Sequence, residues 1–334
     1  MIEIATLLAL AFVGTGIVWK GSSWLETSAD KLAVGYGVPT VVQGAIIAAA
    51  GSSMPELVSV LLAASLHGEF ELGIGAVVGS AVFNLMVIPA IAVLATSGIS
   101  TTRDLVFKEA LFYMLAVAAL LLTFSLAVIY NPTENALEGS VTRTLALFPI
   151  GLYVLYLFTQ YLEAADYEVD VENDIDIARS WFWFLVGLAF IVVGVEGLVR
   201  AAIGFGDVFG TPAFLWGMTV VAAGSSIPDA FVSVAAARAG RTTVSLANVL
   251  GSNVFDLLIA VPAGVLVAGS MDITFEYVVP MMGFLILGTV VFFTVMRTDM
   301  LLSKREAWLL VGLYGVFVVW LLAESVGVTN VVPT

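Results

Sequence analysis

The chain has 334 residues, of which 60% are hydrophobic and only 11% charged. Soluble domains carry roughly 25% charged residues, so an ordinary soluble enzyme and a disordered chain are both excluded. The 26 acids against 12 bases give a net charge of −14, which argues against a nucleic-acid partner, and with no cysteine and a single histidine (His67) thiol chemistry, disulfides and His-rich metal sites are excluded as well.

Apolar runs recur along the chain near 2–24, 38–66, 72–97, 105–129, 144–162, 181–203, 213–238, 244–269, 274–296 and 306–323. A spanning helix needs about 20 apolar residues, so these ten runs predict an all-α membrane protein of ten transmembrane helices. A membrane β-barrel would instead show short alternating strands. The first run starts Met1-Ile2-Glu3, without a basic n-region, and is read as a span, not as a signal peptide.

Loop charges orient the bundle. With the N-terminus on one face, the opposite face collects Lys31, Arg103, Lys108, Arg179, Arg238, Arg241, Arg297, Lys304 and Arg305, against Arg143 and Arg200 on the first. The positive-inside rule then places both termini outside a prokaryotic-type cell membrane. The segment 163–178 between spans five and six becomes cytoplasmic. It holds Glu163, Asp166, Glu168, Asp170, Glu172, Asp174 and Asp176, and reads as a solvated acidic linker; it lacks the mid-loop glycine and terminal glutamate of an EF-hand.

The chain repeats itself. Ala49-Ala50-Gly51-Ser52-Ser53-Met54-Pro55-Glu56 matches Ala222-Ala223-Gly224-Ser225-Ser226-Ile227-Pro228-Asp229 at an offset of 173, as Pro39 matches Pro212. Val78-Gly79-Ser80-Ala81-Val82-Phe83-Asn84 matches Leu250-Gly251-Ser252-Asn253-Val254-Phe255-Asp256 at an offset of 172. The expected organisation is therefore a first repeat, 1–162, the linker, 163–178, and a second repeat, 179–334. Five spans per repeat is an odd number, so the second repeat enters the membrane inverted. In that architecture the site lies at the repeat interface near the midplane.

Each Gly-Ser-Ser-x-Pro-acid segment interrupts an apolar run. Proline removes a backbone donor and disturbs the turn before it, which predicts freed carbonyls around Ala49, Ser52, Ala222 and Ser225. Such carbonyls are tolerated only where they line a polar cavity. With a nearby carboxylate they offer the oxygen ligands that hard cations take. Ser53-x-x-Glu56 also reads as a capping box. A cap, however, is worth about 1 kcal/mol, whereas a carboxylate at mid-membrane costs roughly 2.5–3.5 kcal/mol, so Glu56 and Asp229 are read as ligands. Ser80 with Asn84, and Ser252 with Asp256, are spaced i, i+4 and share a helix face. Gly75 with Gly79, and Ala247 with Gly251, form small-xxx-small patterns that admit close helix approach. Lys20 and Glu196 are expected to pair or snorkel, and His67 to be a solvated loop residue. Gly204-Phe205-Gly206-Asp207 matches an intramembrane aspartyl protease motif, but no Tyr-Asp partner accompanies it.

On these two duplicated motifs the chain resembles the calcium/cation antiporter superfamily, and within it the sodium/calcium exchangers, with segments most similar to the potassium-dependent branch. The Gly-Asn-Ala-x-Glu of the proton-driven branch is absent. The resemblance implies a non-enzymatic membrane antiporter with no cofactor, whose partners are transported Ca²⁺ and Na⁺ ions and the lipid bilayer. It implies spans one and six sliding against the other eight. It further implies Glu56 and Asp229 as central Ca²⁺ ligands joined by the carbonyls of Ser52 and Ser225. Ala49, Ser53, Ser80, Ala222, Ser226 and Ser252 would form flanking Na⁺ sites, with Asn84 and Asp256 completing the middle. Serine replaces the usual threonine at Ser52 and Ser225, and aspartate replaces glutamate at Asp229. The acid at Asp256 leaves K⁺ co-transport, or another Ca²⁺ or Mg²⁺ antiport, as the alternative on the same scaffold. Oligomeric state is left open, a monomer sufficing.

Overall fold

The computed structural model describes residues 2–38, 47, 49–96, 98–101, 103, 105–135, 137–164, 175–240, 242–298, 300–325 and 329. Pro39 and most of the linker acids (Asp166, Glu168, Asp170, Glu172 and Asp174) lie outside these residues.

Among the described residues nine helices are long and apolar enough to span a membrane. We label them α1 (Ile2–Gly35), α3 (Phe70–Leu94), α4 (Val106–Tyr130), α5 (Arg143–Leu162), α6 (Ile177–Phe209), α7 (Ala213–Arg238), α8 (Ser245–Ala268), α9 (Phe275–Arg297) and α10 (Lys304–Glu324). The shorter apolar helix α2 (Met54–His67) follows a single turn, Ala49–Ser52. It is the described part of the second predicted span. α1 runs eleven residues past its predicted end at 24. Glu26, Asp30 and Lys31 interrupt the apolar run there, but packing against α6 keeps the chain helical. Asp176 caps α6, its Oδ1 accepting from the Arg179 N–H at 3.0 Å.

Four short strands report the topology. β1 (Ile99–Ser100), between α3 and α4, pairs antiparallel with β4 (Leu301–Leu302), between α9 and α10. β2 (Glu138–Val141), between α4 and α5, pairs antiparallel with β3 (Met271–Thr274), between α8 and α9. Each ladder joins one loop of the first half to one of the second, and exchanging the halves exchanges the two ladders. This is the pattern of an inverted repeat about a pseudo-two-fold axis. The paired loops are also those that the alternation of spans assigns to a common face.

α1 and α6 follow the same symmetry. They pack antiparallel through glycines: a Cβ on Gly14 would sit 2.8 Å from the Gly194 carbonyl, and one on Gly21 2.8 Å from that of Gly187. An offset of 173 carries Gly14 onto Gly187 and Gly21 onto Gly194, so the two contacts are symmetry mates. Side chains are missing where the backbones meet, as small residues permit.

The buried apolar side chains form two main clusters. The larger joins α3, α4, α5, α8, α9 and α10 through residues such as Leu85, Tyr113, Tyr156, Leu258, Phe292 and Phe317. The smaller unites α1 and α6 with the faces they touch, through Val18, Leu25, Val58, Ile191, Val195 and Leu198.

Candidate functional site

α2 and α7 bring the duplicated segments to the middle of the bundle. Their local structures differ. In the first half the turn Ala49–Ser52 ends at Ser53, and Pro55 stands in the first turn of the helix that follows. In the second half α7 runs through Pro228 without a break, after a widened π-helical turn, Gly217–Val221, earlier in the same helix. The expected interruption at Pro228 is therefore absent. A helical proline deletes only its own N–H and crowds the carbonyl four residues back, here that of Gly224, where there is no side chain to add to the strain. Nor are all the expected carbonyls free. The Ala49 carbonyl accepts from the Ser53 N–H at 3.1 Å and from Ser52 Oγ at 3.1 Å, and the Ala222 carbonyl accepts from Ser225 Oγ at 3.3 Å.

α3 and α8 supply the second element of each half. α3 lies close under α7: a Cβ on Gly75 would meet the Phe214 carbonyl at 2.6 Å, and one on Gly79 would run into the Met218 carbonyl. This approach delivers Ser80 to the partner repeat. Ser80 Oγ and Ser226 Oγ share a hydrogen bond of 2.7 Å and stand 3.2 and 3.3 Å from Glu56 Oε1, so that one of the two hydroxyls donates to the other and the second donates to the carboxylate. Asn84 Nδ2 donates to Asn253 Oδ1 at 3.0 Å and stands 3.5 Å from both Ser80 Oγ and Asp229 Oδ2. Ser53 Oγ donates to the Ser252 carbonyl at 3.2 Å, while Ser252 Oγ turns back to the Val249 carbonyl. The capping box at Ser53 does not form; its hydroxyl is engaged across the repeat interface instead.

All twelve residues singled out from the sequence, Ala49, Ser52, Ser53, Glu56, Ser80, Asn84, Ala222, Ser225, Ser226, Asp229, Ser252 and Asp256, are buried. Among them Glu56 Oε2, Asn84 Oδ1, Asp229 Oδ1 and both Asp256 oxygens are shielded from solvent and find no hydrogen-bond partner among the described residues. Buried polar atoms are ordinarily paired. A row of orphaned oxygens from α2, α3, α7 and α8 is the donor set that a hard cation takes. Asp256 opens a π-helical turn, Asp256–Ala260, in α8. It stands within electrostatic reach of Glu56 and Asp229. Even so, among the described residues no three acidic or histidine side chains converge as one metal-binding group. The three carboxylates are better described as the Glu56–Asp229 centre with Asp256 beside it.

Two other expectations need correction. Glu196 does not pair with Lys20: it bonds His67 Nε2 at 3.0 Å and Arg200 Nε at 2.5 Å, while Lys20 lies over the Trp24 ring. His67 is thereby a half-buried hydrogen-bond partner of Glu196 at the end of α2, not a solvated loop residue. Sequence reading also passed over Asn253, which is fully buried and bridges Asn84 to the Ala81 carbonyl. Its place in the second duplicated motif was the available signal.

Comparison with known proteins agrees with the geometry. The family described as Sodium/calcium exchanger protein matches residues 6–162 and 179–323. The chain is 26% identical over 277 residues to Inner membrane protein YrbG of Escherichia coli (strain K12), covering 79% of this chain and 81% of that one. It is 28% identical over 295 residues to Sodium/calcium exchanger MaX1 of Methanosarcina acetivorans, covering 78% and 82%. Among solved structures, the sodium-calcium exchanger NCX_Mj superposes with a TM-score of 0.65 at 23% identity, over 95% of this chain and 99% of that one. The fold is thus that of NCX_Mj, and the chain belongs to the sodium/calcium exchanger family of multi-pass membrane antiporters.

Proposed function

We propose that the chain is a secondary active antiporter that exchanges Na⁺ for Ca²⁺ across the cell membrane by alternating access, with Glu56 and Asp229 as the central ligands. One observation carries the reading. The acid of each proline segment is met by polar groups of the other half: Glu56 by Ser226, and Asp229 by Asn84. A site assembled from both repeats lies at the repeat interface, where this architecture places a transported ion. The relatives fit this reading, MaX1 being itself described as a sodium/calcium exchanger.

The ions compete for one set of oxygens. Two carboxylates, flanked by the hydroxyls of Ser53, Ser80 and Ser226 and the carbonyls of Ser52, Ser225 and Ser252, balance one divalent or several monovalent cations. Occupancy by one load excludes the other, which is the coupling an antiporter needs. α1 and α6 supply the moving pair in this mechanism. They meet through glycine backbones, and their apolar cluster is separate from the large one. The linker 163–178 faces the cytoplasm and both termini face outward, by the charge asymmetry of the loops.

The test is radiolabelled Ca²⁺ uptake into Na⁺-loaded proteoliposomes. Uptake is expected to require the outward Na⁺ gradient; uptake indifferent to it would overturn the reading. K⁺ co-transport is the second reading, favoured by the two orphaned Asp256 oxygens beside the centre. It predicts that uptake rises when K⁺ is supplied with Ca²⁺ and that Asp256→Asn removes the rise.

A further inference from the structure

A further acid of a spanning helix lies outside the duplicated motifs. Glu26 sits in the part of α1 beyond the predicted span. Ser22, Glu26 and Asp30 are spaced four apart and form one row along the helix. Ser22 is 0% exposed and its Oγ has no partner; Glu26 Oε1 is likewise shielded and unpartnered among the described residues. Glu26 lies against the first proline segment, its Cγ 3.8 Å from where a Cβ on Gly51 would be, and it is near enough to Asp229 for the two charges to repel. At the other end of the row, Asp30 lines a cavity of about 540 Å³, together with Ser28, Lys31, Asp176 and Arg179, at the face that carries the linker. The row thus runs from that cavity to the centre.

The other half has no such row. The repeat offset of 173 carries Ser22, Glu26 and Asp30 onto Val195, Val199 and Ile203 of α6. The duplicated machinery does not require these polar residues, and the two approaches to the centre differ in chemistry. A mid-helix glutamate caps nothing, and a carboxylate oxygen shielded from water without a hydrogen-bond partner carries a desolvation cost. A transient cation offsets that cost.

We propose that Glu26, with Ser22 one turn deeper, forms a cation-binding station on the linker-side path between the cavity at Asp30 and the Glu56–Asp229 centre. Its ligand is a hard cation, here Ca²⁺. The proposal rests on the transport reading above.

The experiment measures the Ca²⁺ dependence of exchange at each face separately, in sealed right-side-out and everted vesicles containing the full chain. Glu26→Gln is expected to raise KM for Ca²⁺ about tenfold at the linker-side face, with KM at the opposite face unchanged. Glu26→Asp is expected to recover most of the loss, and Ser22→Ala to give a smaller rise on the same face. An equal rise at both faces, or none, overturns the station. Should Glu26→Gln fail to insert, Ser22→Ala and Glu26→Asp carry the test by the same face-specific criterion. Wild-type flux that ignores the Na⁺ gradient is a failure of the transport reading instead. The station is then read by equilibrium binding of radiolabelled Ca²⁺ to the purified chain, where Glu26→Gln must lower occupancy for the proposal to stand.

Discussion

Glu56 has a local role and a tertiary one on offer, and only one of them is taken. Its sequence neighbours provide a capping box with Ser53, yet Ser53 Oγ reaches the Ser252 carbonyl and Glu56 meets the hydrogen-bonded hydroxyl pair of Ser80 and Ser226. Both hydroxyls come from other helices, so the carboxylate is held by the assembled bundle. We predict that Glu56→Gln and Asp229→Asn each abolish Na⁺-driven Ca²⁺ uptake while leaving the protein folded, as judged by size-exclusion chromatography in detergent. Retained transport in either variant would remove the ligand assignment. Ser226→Ala removes the hydroxyl that links Ser80 to the Glu56 carboxylate, a hydrogen bond to a charged group contributing about 1.5–3 kcal/mol, and is expected to raise KM for Ca²⁺ about tenfold or more without abolishing uptake. These residues were legible because the sequence prints them twice. Asn253 was not, since its counterpart in the first repeat is Ala81, which has no polar side chain to draw attention. Its value appears only when α3 and α8 meet and it bonds Asn84.

The α1–α6 seam sets the mechanics at the level of elements. Gly14 and Gly21 face backbone atoms of α6, whereas a Cβ on Gly16, on the same helix, would have nothing within 4 Å. Gly14→Ala forces backbone apart, and overpacking of this kind costs about 1–3 kcal/mol. Gly14→Ala is therefore expected to lower the melting temperature and slow exchange, and Gly16→Ala to do neither; thermal denaturation in detergent with parallel flux assays checks the pair. Element existence was readable from hydropathy, and most ends fall within a few residues of their predicted places. The exceptions are physical. α1 was cut short because acids interrupted its apolar run, and the helix persists because α6 covers that stretch. α7 was expected to break at Pro228 and instead continues, its strain eased by Gly224 and by the π-helical turn before it. Hydropathy sees composition along one segment and carries no information about what that segment packs against.

The whole molecule is an inverted duplication, and the strand ladders make the inversion testable without reference to transport. Because the chain has no native cysteine, single cysteines report sidedness cleanly. Ser100, in β1, and Glu134, before β2, are both exposed and lie at opposite ends of the bundle. A membrane-impermeant maleimide is expected to label Glu134→Cys from outside intact cells and Ser100→Cys only after permeabilisation; labelling of both from one face would contradict the topology. The overall arrangement was legible because an odd number of spans per repeat dictates opposite insertion. The distinction between the two approaches to the centre was not, since Glu26 lies outside both motifs and gains meaning only from its place beside the first proline segment.

Antiport itself is tested most directly by reversing the driving gradient. In proteoliposomes with equal Ca²⁺ on both sides, net radiolabelled Ca²⁺ movement is measured under an outward and then an inward Na⁺ gradient. The account predicts uptake in the first case and release in the second, with both lost in Glu56→Gln. Ca²⁺ movement that keeps one direction, or that proceeds equally without any Na⁺ gradient, would contradict it.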